Sequence, residues 1–335
     1  RIYCAHQRSG FVAGGKRALA EELALDRRRK WLEANKGAIA ACNDSVEKSG
    51  VFSDGRRILS RRVSEFVGIR VRRIMDDGLW IPDWQPGPVR PVLDDEVCHV
   101  WRVDLEQVAV RLAGDGVPVD GDLGPGASSL SAEELDRRAR FVFERHRRWF
   151  LAARTALRGV LGAYLGLDAA AVPIVAPLHG RPTLAAGAQA SGGPLDFNLS
   201  HSDALALIAV TRRAPLGVDV ELVRPMNDAL ALAQRHYVGD EIARVAAVEG
   251  AARDRAFFTC WTRKEAVLKS TGAGLSVAPS TIRVGATPEP LRLVFEDPAG
   301  AEALRVVSFA VRADALGACA VAPRVRVEGM FDYGT

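Results

Sequence analysis

The chain is poor in the thiol patterns that would mark a disulfide scaffold or a zinc cluster. Its five cysteines (Cys4, Cys42, Cys98, Cys260 and Cys319) are odd in number, scattered, and form no C-x-x-C pair. A disulfide framework is therefore not expected, and a reducing cytoplasm is the expected compartment. Cys260 lies beside Trp261 in an apolar stretch, where a buried structural thiol is expected rather than a nucleophile. No uninterrupted apolar run approaches the roughly 18 residues of a membrane helix, and the N-terminus has no apolar signal core. A G-x-x-x-x-G-K-[ST] phosphate loop is also missing, which disfavours a generic Mg²⁺-dependent nucleotide enzyme. The 335 residues, 48% hydrophobic and 26% charged, have an ordinary globular composition and are long enough for two packed domains.

The net charge of +4 hides an asymmetry. Residues 1–90 hold 18 Lys and Arg against 11 Asp and Glu, and the remaining 245 hold 27 against 30. Basicity is thus an N-terminal property, and no nucleic-acid partner is expected for the body. Residues 1–60 read as helical but thinly apolar, and 61–80 as a basic amphipathic stretch. Pro82, Pro86, Pro88 and Pro91 then form a linker that a helix cannot cross, which places the first domain boundary at residue 89.

Beyond the linker, Val97 to Asp104 alternates as a strand. A glycine-rich loop (Gly114, Gly116, Gly121, Gly124, Gly126) follows, and Ser131-Ala-Glu-Glu134 is a capping box that opens helical pattern as far as about Leu165. Arg147, Arg154 and Arg158 share one stripe of that pattern, most simply a solvated face. From Leu195 the period changes to two. The runs 195–200, 204–210 and 218–222 read as a three-stranded antiparallel meander. Helical pattern returns over 227–248 and 254–270, then strands over 281–284, 291–295, 304–309 and 318–321. The class is α+β, with strands and helices recurring in two successive sets.

Asp219 and Glu221, two apart in a strand, project from one face with Val218 and Val220 on the other. With a third carboxylate they suit a hard ion such as Mg²⁺, although any half-buried strand alternates charge in this way. Glu265 and Lys269 have the i,i+4 spacing of a surface salt bridge. Against that simple reading, Trp261, Lys264, Glu265, Leu268 and Lys269 fall on one helical face, which mixes charge with apolar bulk. His201, at a strand end, is by itself more often a hydrogen-bonded structural residue than a ligand contact. Gly180-Arg181-Pro182 by itself is a turn signal.

Together the motifs Gly180-Arg181-Pro182, Phe197-Asn-Leu-Ser200-His201-Ser202, Gly217-Val-Asp219-Val-Glu221 and Trp261-x-x-Lys264-Glu265-x-x-x-Lys269 resemble the 4'-phosphopantetheinyl transferase superfamily, in its long monomeric type. The resemblance covers about residues 90–325. It implies two similar α+β halves forming a pseudo-dimer, 90–212 and 213–325, between a helical or disordered extension (1–89) and a tail (326–335). It also implies transfer of the phosphopantetheine arm of coenzyme A to a serine of an apo acyl, peptidyl or aminoadipate-pathway carrier protein. Asp219, Glu221 and Glu265 would hold Mg²⁺, Glu265 or a carboxylate-bound water would take the serine proton, and Lys269 would stabilise the leaving phosphate. Glu241 sits where the family often has a further functional acid. Arg137, Arg148, Gly180, Arg181, Pro182, Asn198, Ser200, His201, Lys264 and Lys269 would contact coenzyme A. Arg181 stands where the family commonly has Lys. Separately, residues 22–58 resemble the toxin-binding tail of plasmid-type antitoxins, so an antitoxin-like binding protein with a non-catalytic body is the alternative.

Overall fold

The computed structural model describes residues 71–75, 78–113, 128–176, 181–190, 193–212, 215–272, 277–287, 291–297 and 300–334. The antitoxin-like stretch, the glycine-rich segment 114–127 and Gly180 lie outside the described residues. Residues 53–293 and 304–335 make one compact unit, described below; residues 294–303 fall in a second.

The body is built from strands β1 (Val97–Asp104), β2 (Asp196–Ser202), β3 (Leu205–Thr211), β4 (Leu216–Leu222), β5 (Leu291–Asp297), β6 (Gly300–Arg312), β7 (Ala315–Val321) and β8 (Arg326–Asp332). Its helices are α1 (Leu105–Ala113), α2 (Ala132–Ala139), α3 (Glu144–Leu165), α4 (Ala229–His236), α5 (Gly239–Ala246) and α6 (Gly250–Ser270). In the first sheet β3 lies antiparallel between β1 and β2, with Ile208 opposite both Trp101 and Leu199. In the second, β7 lies antiparallel between β4 and β6, with Cys319 opposite Val218 and Val307. Each set runs strand, helices, then a hairpin whose last strand returns to pair with the first. This is the repeat expected of two similar α+β halves.

Period-two side chains divide the interior. Trp101 and Val103 of β1, with Ala206, Ile208 and Val210 of β3, pack under Ala152, Ala156, Leu157, Val160 and Leu161 of α3. The opposite faces, with Val100, Leu205, Leu207 and Ala209, meet Val218, Val220, Val307, Phe309, Cys319 and Val321 of the second sheet. Burying each Val, Leu, Ile or Phe side chain of this set contributes roughly 1.5–3 kcal/mol, so these two cores hold the fold. On the far side α6 lies on β4 with no room to spare. A Cβ on Gly217 would overlap the Ala266 carbonyl oxygen and stand 2.6 Å from Ser270 N. Only glycine lets the helix approach this closely.

Four expectations need correction. The meander is a hairpin, because β4 leaves β3 and pairs with β7 in the other sheet. Spacing alone cannot tell a turn back from a crossing between sheets. Residues 281–284 are no strand: a short 3₁₀ turn, Pro279–Thr281, is followed by irregular chain whose polar backbone is used by buried side chains. The boundary at residue 89 falls too late, since Leu79 and Trp80 are 1% and 2% exposed and Trp80 belongs to the inter-sheet core, its ring 5.6 Å from Phe309. Residues 326–332 are no tail but strand β8, parallel to β1. There Arg102 grips the Asp332 carboxylate at 2.7 and 2.9 Å and donates to the Val311 carbonyl, while its guanidinium lies 4.5 Å from the Trp84 ring.

Candidate active site

Strands β2 and β4 are edge strands of different sheets, and they meet through side chains instead of a backbone ladder. Asn198 Oδ1 accepts a hydrogen bond from Val218 N at 2.9 Å, and Ser202 Oγ accepts one from Leu222 N at 3.2 Å. Both strands thereby present polar side chains along one seam. Ser200 Oγ donates to Asp219 Oδ1 at 2.7 Å, and Ser202 Oγ donates to Glu221 Oε2 at 2.7 Å.

The last turn of α6 closes the seam. Lys269 Nζ is 2.6 Å from Asp219 Oδ1 and 2.8 Å from Ser200 Oγ. The lysine thus pairs with the strand carboxylate, and not with Glu265 as a surface i,i+4 bridge would have it. Asp219 is 4% exposed, and its other oxygen, Oδ2, is buried with no hydrogen-bond partner. A lone carboxylate oxygen there is costly unless something cationic serves it. Burial raises the Glu221 carboxyl above its ordinary value, and Asp219 adds repulsion. Glu265 is raised in the same way, by burial and then by the Asp219 and Glu221 charges, against the pull of Lys269. Two carboxyls raised by burial, beside an orphaned carboxylate oxygen, suit a hard divalent cation. Among the described residues, however, no three His, Cys, Asp or Glu side chains are gathered closely enough to hold a metal as they stand.

Beside the seam opens a cavity of about 640 Å³, the size of a small-molecule site. Arg137, Arg154, Arg181 and Lys269 charge its walls, His201, Asn198, Pro182 and Asp203 line it, and Phe141, His146, Trp149 and Phe150 add rings. Arg181 is fixed by Asp196 and by the Leu216 carbonyl, 2.7 Å away. His201 is solvent-accessible at the wall, yet partial desolvation, then Lys269 and Arg137, lower its pKa.

Sequence reasoning assigned the arginine stripe to solvent, and here the structure differs. Arg154 and Arg158 are 4% and 3% exposed and share one buried carboxylate, Glu134, at 2.9 and 2.7 Å. Glu134 also completes the expected capping box, with Ser131 N donating to its Oε2. Two cations share one anion, so the wall holds surplus positive charge. Phe150 sits between Arg137 and Arg154, each guanidinium 5.8 Å from its centroid. The i,i+4 spacing of Phe150 and Arg154 was the signal available in the sequence.

Three expected site residues are placed elsewhere. Glu241 and Lys264 are both fully buried and paired at 2.7 Å. Glu241 also accepts from Val238 N, Val284 N and Gly285 N, and Lys264 donates to the Pro279 and Ile282 carbonyls. With every oxygen and proton engaged, the pair pins the 279–285 chain to α5 and α6 and does not line this cavity. Arg148 does not line the cavity either; it faces Glu106 at 3.6 Å.

Residues 215–312 match the family described as the 4'-phosphopantetheinyl transferase superfamily, and residues 117–213 match the 4'-phosphopantetheinyl transferase N-terminal family. The 4'-phosphopantetheinyl transferase HetI of Nostoc sp. is 38% identical over 211 residues, 63% of this chain and 83% of that protein. The chain belongs to the 4'-phosphopantetheinyl transferase superfamily. Another relative, slr0495 of Synechocystis sp., is 33% identical over 160 residues, 48% of this chain and 64% of its own length. The 4'-phosphopantetheinyl transferase AcpT of Salmonella typhimurium is 36% identical over 94 residues, 28% of this chain and 46% of that protein. Residues 14–58 match the post-segregation antitoxin CcdA family. No helix among the described residues is long and apolar enough to cross a membrane.

Proposed function

We infer that this phosphopantetheinyl transferase draws its donor, coenzyme A, into the cavity beside the β2–β4 seam and passes the 4'-phosphopantetheine arm to a serine of an apo carrier protein. The observation that carries the reading is the juxtaposition of a cation-walled cavity with Asp219, Glu221, Glu265 and Lys269. Arg137, Arg154, Arg181 and His201 bind and orient the polyanionic donor. Asn198 holds the two strands in register and so sets the distance between cavity and carboxylates.

The reaction needs a serine proton removed, a phosphorus–oxygen bond made, and a second one broken. Glu265, half-buried with its pKa raised, is suited to take the serine proton, because a carboxylate poised nearer neutrality is the better base. The serine oxygen bonds to the phosphorus attached to pantetheine, and the bond to the second phosphate breaks. Adenosine 3',5'-bisphosphate leaves. Lys269 meets the charge that grows on that leaving phosphate, the kind of fixed countercharge on which phosphoryl transfer depends. Asp219 Oδ2, Glu221 and Glu265 are the donors we propose for Mg²⁺, which would supply countercharge to the diphosphate oxygens when bound.

The two halves already lie in one chain, dividing between Thr211 and Leu216, so we propose a monomer, acting in the cytoplasm. An antitoxin-like protein with an inert body is disfavoured, because Asp219, Glu221, Glu265 and Lys269 all stand at the seam. Intact-mass measurement decides: acyl, peptidyl and aminoadipate-pathway apo carriers are incubated with the protein and coenzyme A, with Mg²⁺ or with chelator. One carrier class gains a phosphopantetheine arm in Mg²⁺ only. If no carrier is modified, the activity is wrong, and equal modification in chelator removes the metal.

A further inference from the structure

A cavity walled by cations alone would accept any polyanion. This one carries a second chemistry on one side: Phe141, His146, Trp149 and Phe150 all come from the start of α3 or the loop before it. Phe141 and Phe150 stand 5.4 Å apart, and His146 and Trp149 5.8 Å apart with their planes tilted by 40°. Rings held together on one wall, with arginines around them, fit a planar aromatic group attached to phosphates.

Trp149 is anchored to a second helix. Its indole Nε1–H donates to Glu106 Oε2 at 2.7 Å, and Glu106 comes from α1, a different helix. The other Glu106 oxygen faces Arg148 at 3.6 Å, so the carboxylate is held from both sides. An indole whose only polar atom is tied back cannot turn freely, and its half-buried ring remains part of the cavity wall. Such orientation lowers the entropic cost of stacking a ligand ring against it. The arrangement also explains why Arg148 stays out of the cavity: it helps to fix the carboxylate that fixes the indole.

We propose that Trp149 is a specificity residue that stacks the adenine base of coenzyme A, and that Glu106 positions it. This rests on the reading of the cavity as a coenzyme A site. The base then contributes to donor affinity but not to the bond being broken, because it meets the same ring in the ground and transition states.

The test pairs kinetics with binding. Trp149→Ala and Trp149→Phe are compared with wild type on coenzyme A and on an analogue whose ribose carries no base. Loss of an aromatic stack typically lowers affinity by about tenfold or more. Trp149→Ala is expected to raise KM for coenzyme A about tenfold with kcat nearly unchanged, and to leave KM for the base-free analogue unaltered. Trp149→Phe keeps most of the affinity. In a separate titration, adenosine 3',5'-bisphosphate quenches wild-type tryptophan fluorescence, and the quench is lost in Trp149→Phe. Glu106→Ala shares the KM effect in weaker form. Equal losses on both donors, or an unchanged KM for coenzyme A, overturn the stacking role. A wild type that transfers nothing from coenzyme A fails earlier and removes the functional reading itself.

Discussion

Lys269 reaches from the last turn of α6 to Asp219 of β4, and the 2.6 Å contact is made possible by Gly217, two residues earlier in the strand. A glycine thereby sets where the lysine and the carboxylate meet. With Asp219 as a ligand of the proposed Mg²⁺, replacing it by Ala is expected to lower turnover by several orders of magnitude, since a lost metal ligand removes several kcal/mol of charge stabilisation. The fold is expected to persist, because the Lys269 ammonium is partly exposed and solvent can serve it. Turnover and circular dichroism on the same preparation check both halves of this statement.

Glu241 and Lys264 lead to the opposite pattern. Removing one member of a buried pair strands the other, typically at about 3–5 kcal/mol. Glu241→Ala or Lys264→Met should therefore depress the unfolding midpoint in urea sharply, while the fraction still folded binds adenosine 3',5'-bisphosphate normally. A Glu241→Ala protein with wild-type stability and no turnover would restore this carboxylate to catalysis.

The start of the body can be tested by truncation. Trp80 fills the inter-sheet core against Phe309. Cutting through residue 89 removes it, and loss of a buried aromatic costs about 3–5 kcal/mol. Soluble yield and urea midpoint should be lower for that truncation than for one that ends at residue 70.

Acid should loosen the first core through His99. It is 8% exposed, and its Nδ1 is 2.8 Å from Tyr164 Oη, which also accepts from Trp101 Nε1 at 3.0 Å. A neutral imidazole with an unprotonated Nδ1 accepts from the tyrosine hydroxyl in this arrangement. Burial lowers the His99 pKa to about 4, against an upward pull from Asp94. A depressed histidine pKa means that the unfolded chain takes up the proton first. Its stabilising contribution is complete above pH 6.5 and is lost as pH falls toward 4. His99→Asn should be less stable at neutral pH but show a flatter decline over that window, measured by urea unfolding at several pH values.

Much of this was legible in the sequence, and the failures share a cause. The alternation of Val97–Asp104 and Val218–Leu222, the capping box at Ser131, and the common face of Asp219 and Glu221 follow from local periodicity, which the backbone obeys. What local pattern cannot carry is the partner of a strand or of a charge. The crossing of β4 to the second sheet, the return of β8 beside β1, and the sharing of Glu134 by Arg154 and Arg158 are all set by residues distant in sequence. Lys264 and Lys269 show the same limit within one helix: five residues apart, one is sealed against Glu241 and the other faces the cavity.

The division of labour at the seam is decided by steady-state kinetics on Lys269→Ala and His201→Ala, with coenzyme A varied at saturating apo carrier. On the proposed reading Lys269 meets charge that develops only as the phosphate leaves, so Lys269→Ala is expected to lower kcat about a hundredfold or more with little change in KM. On the same reading His201 contacts the donor alike before and during the reaction, so His201→Ala is expected to raise KM and spare kcat. A Lys269→Ala enzyme with unchanged kcat would contradict the assignment and leave the lysine as a structural partner of Asp219.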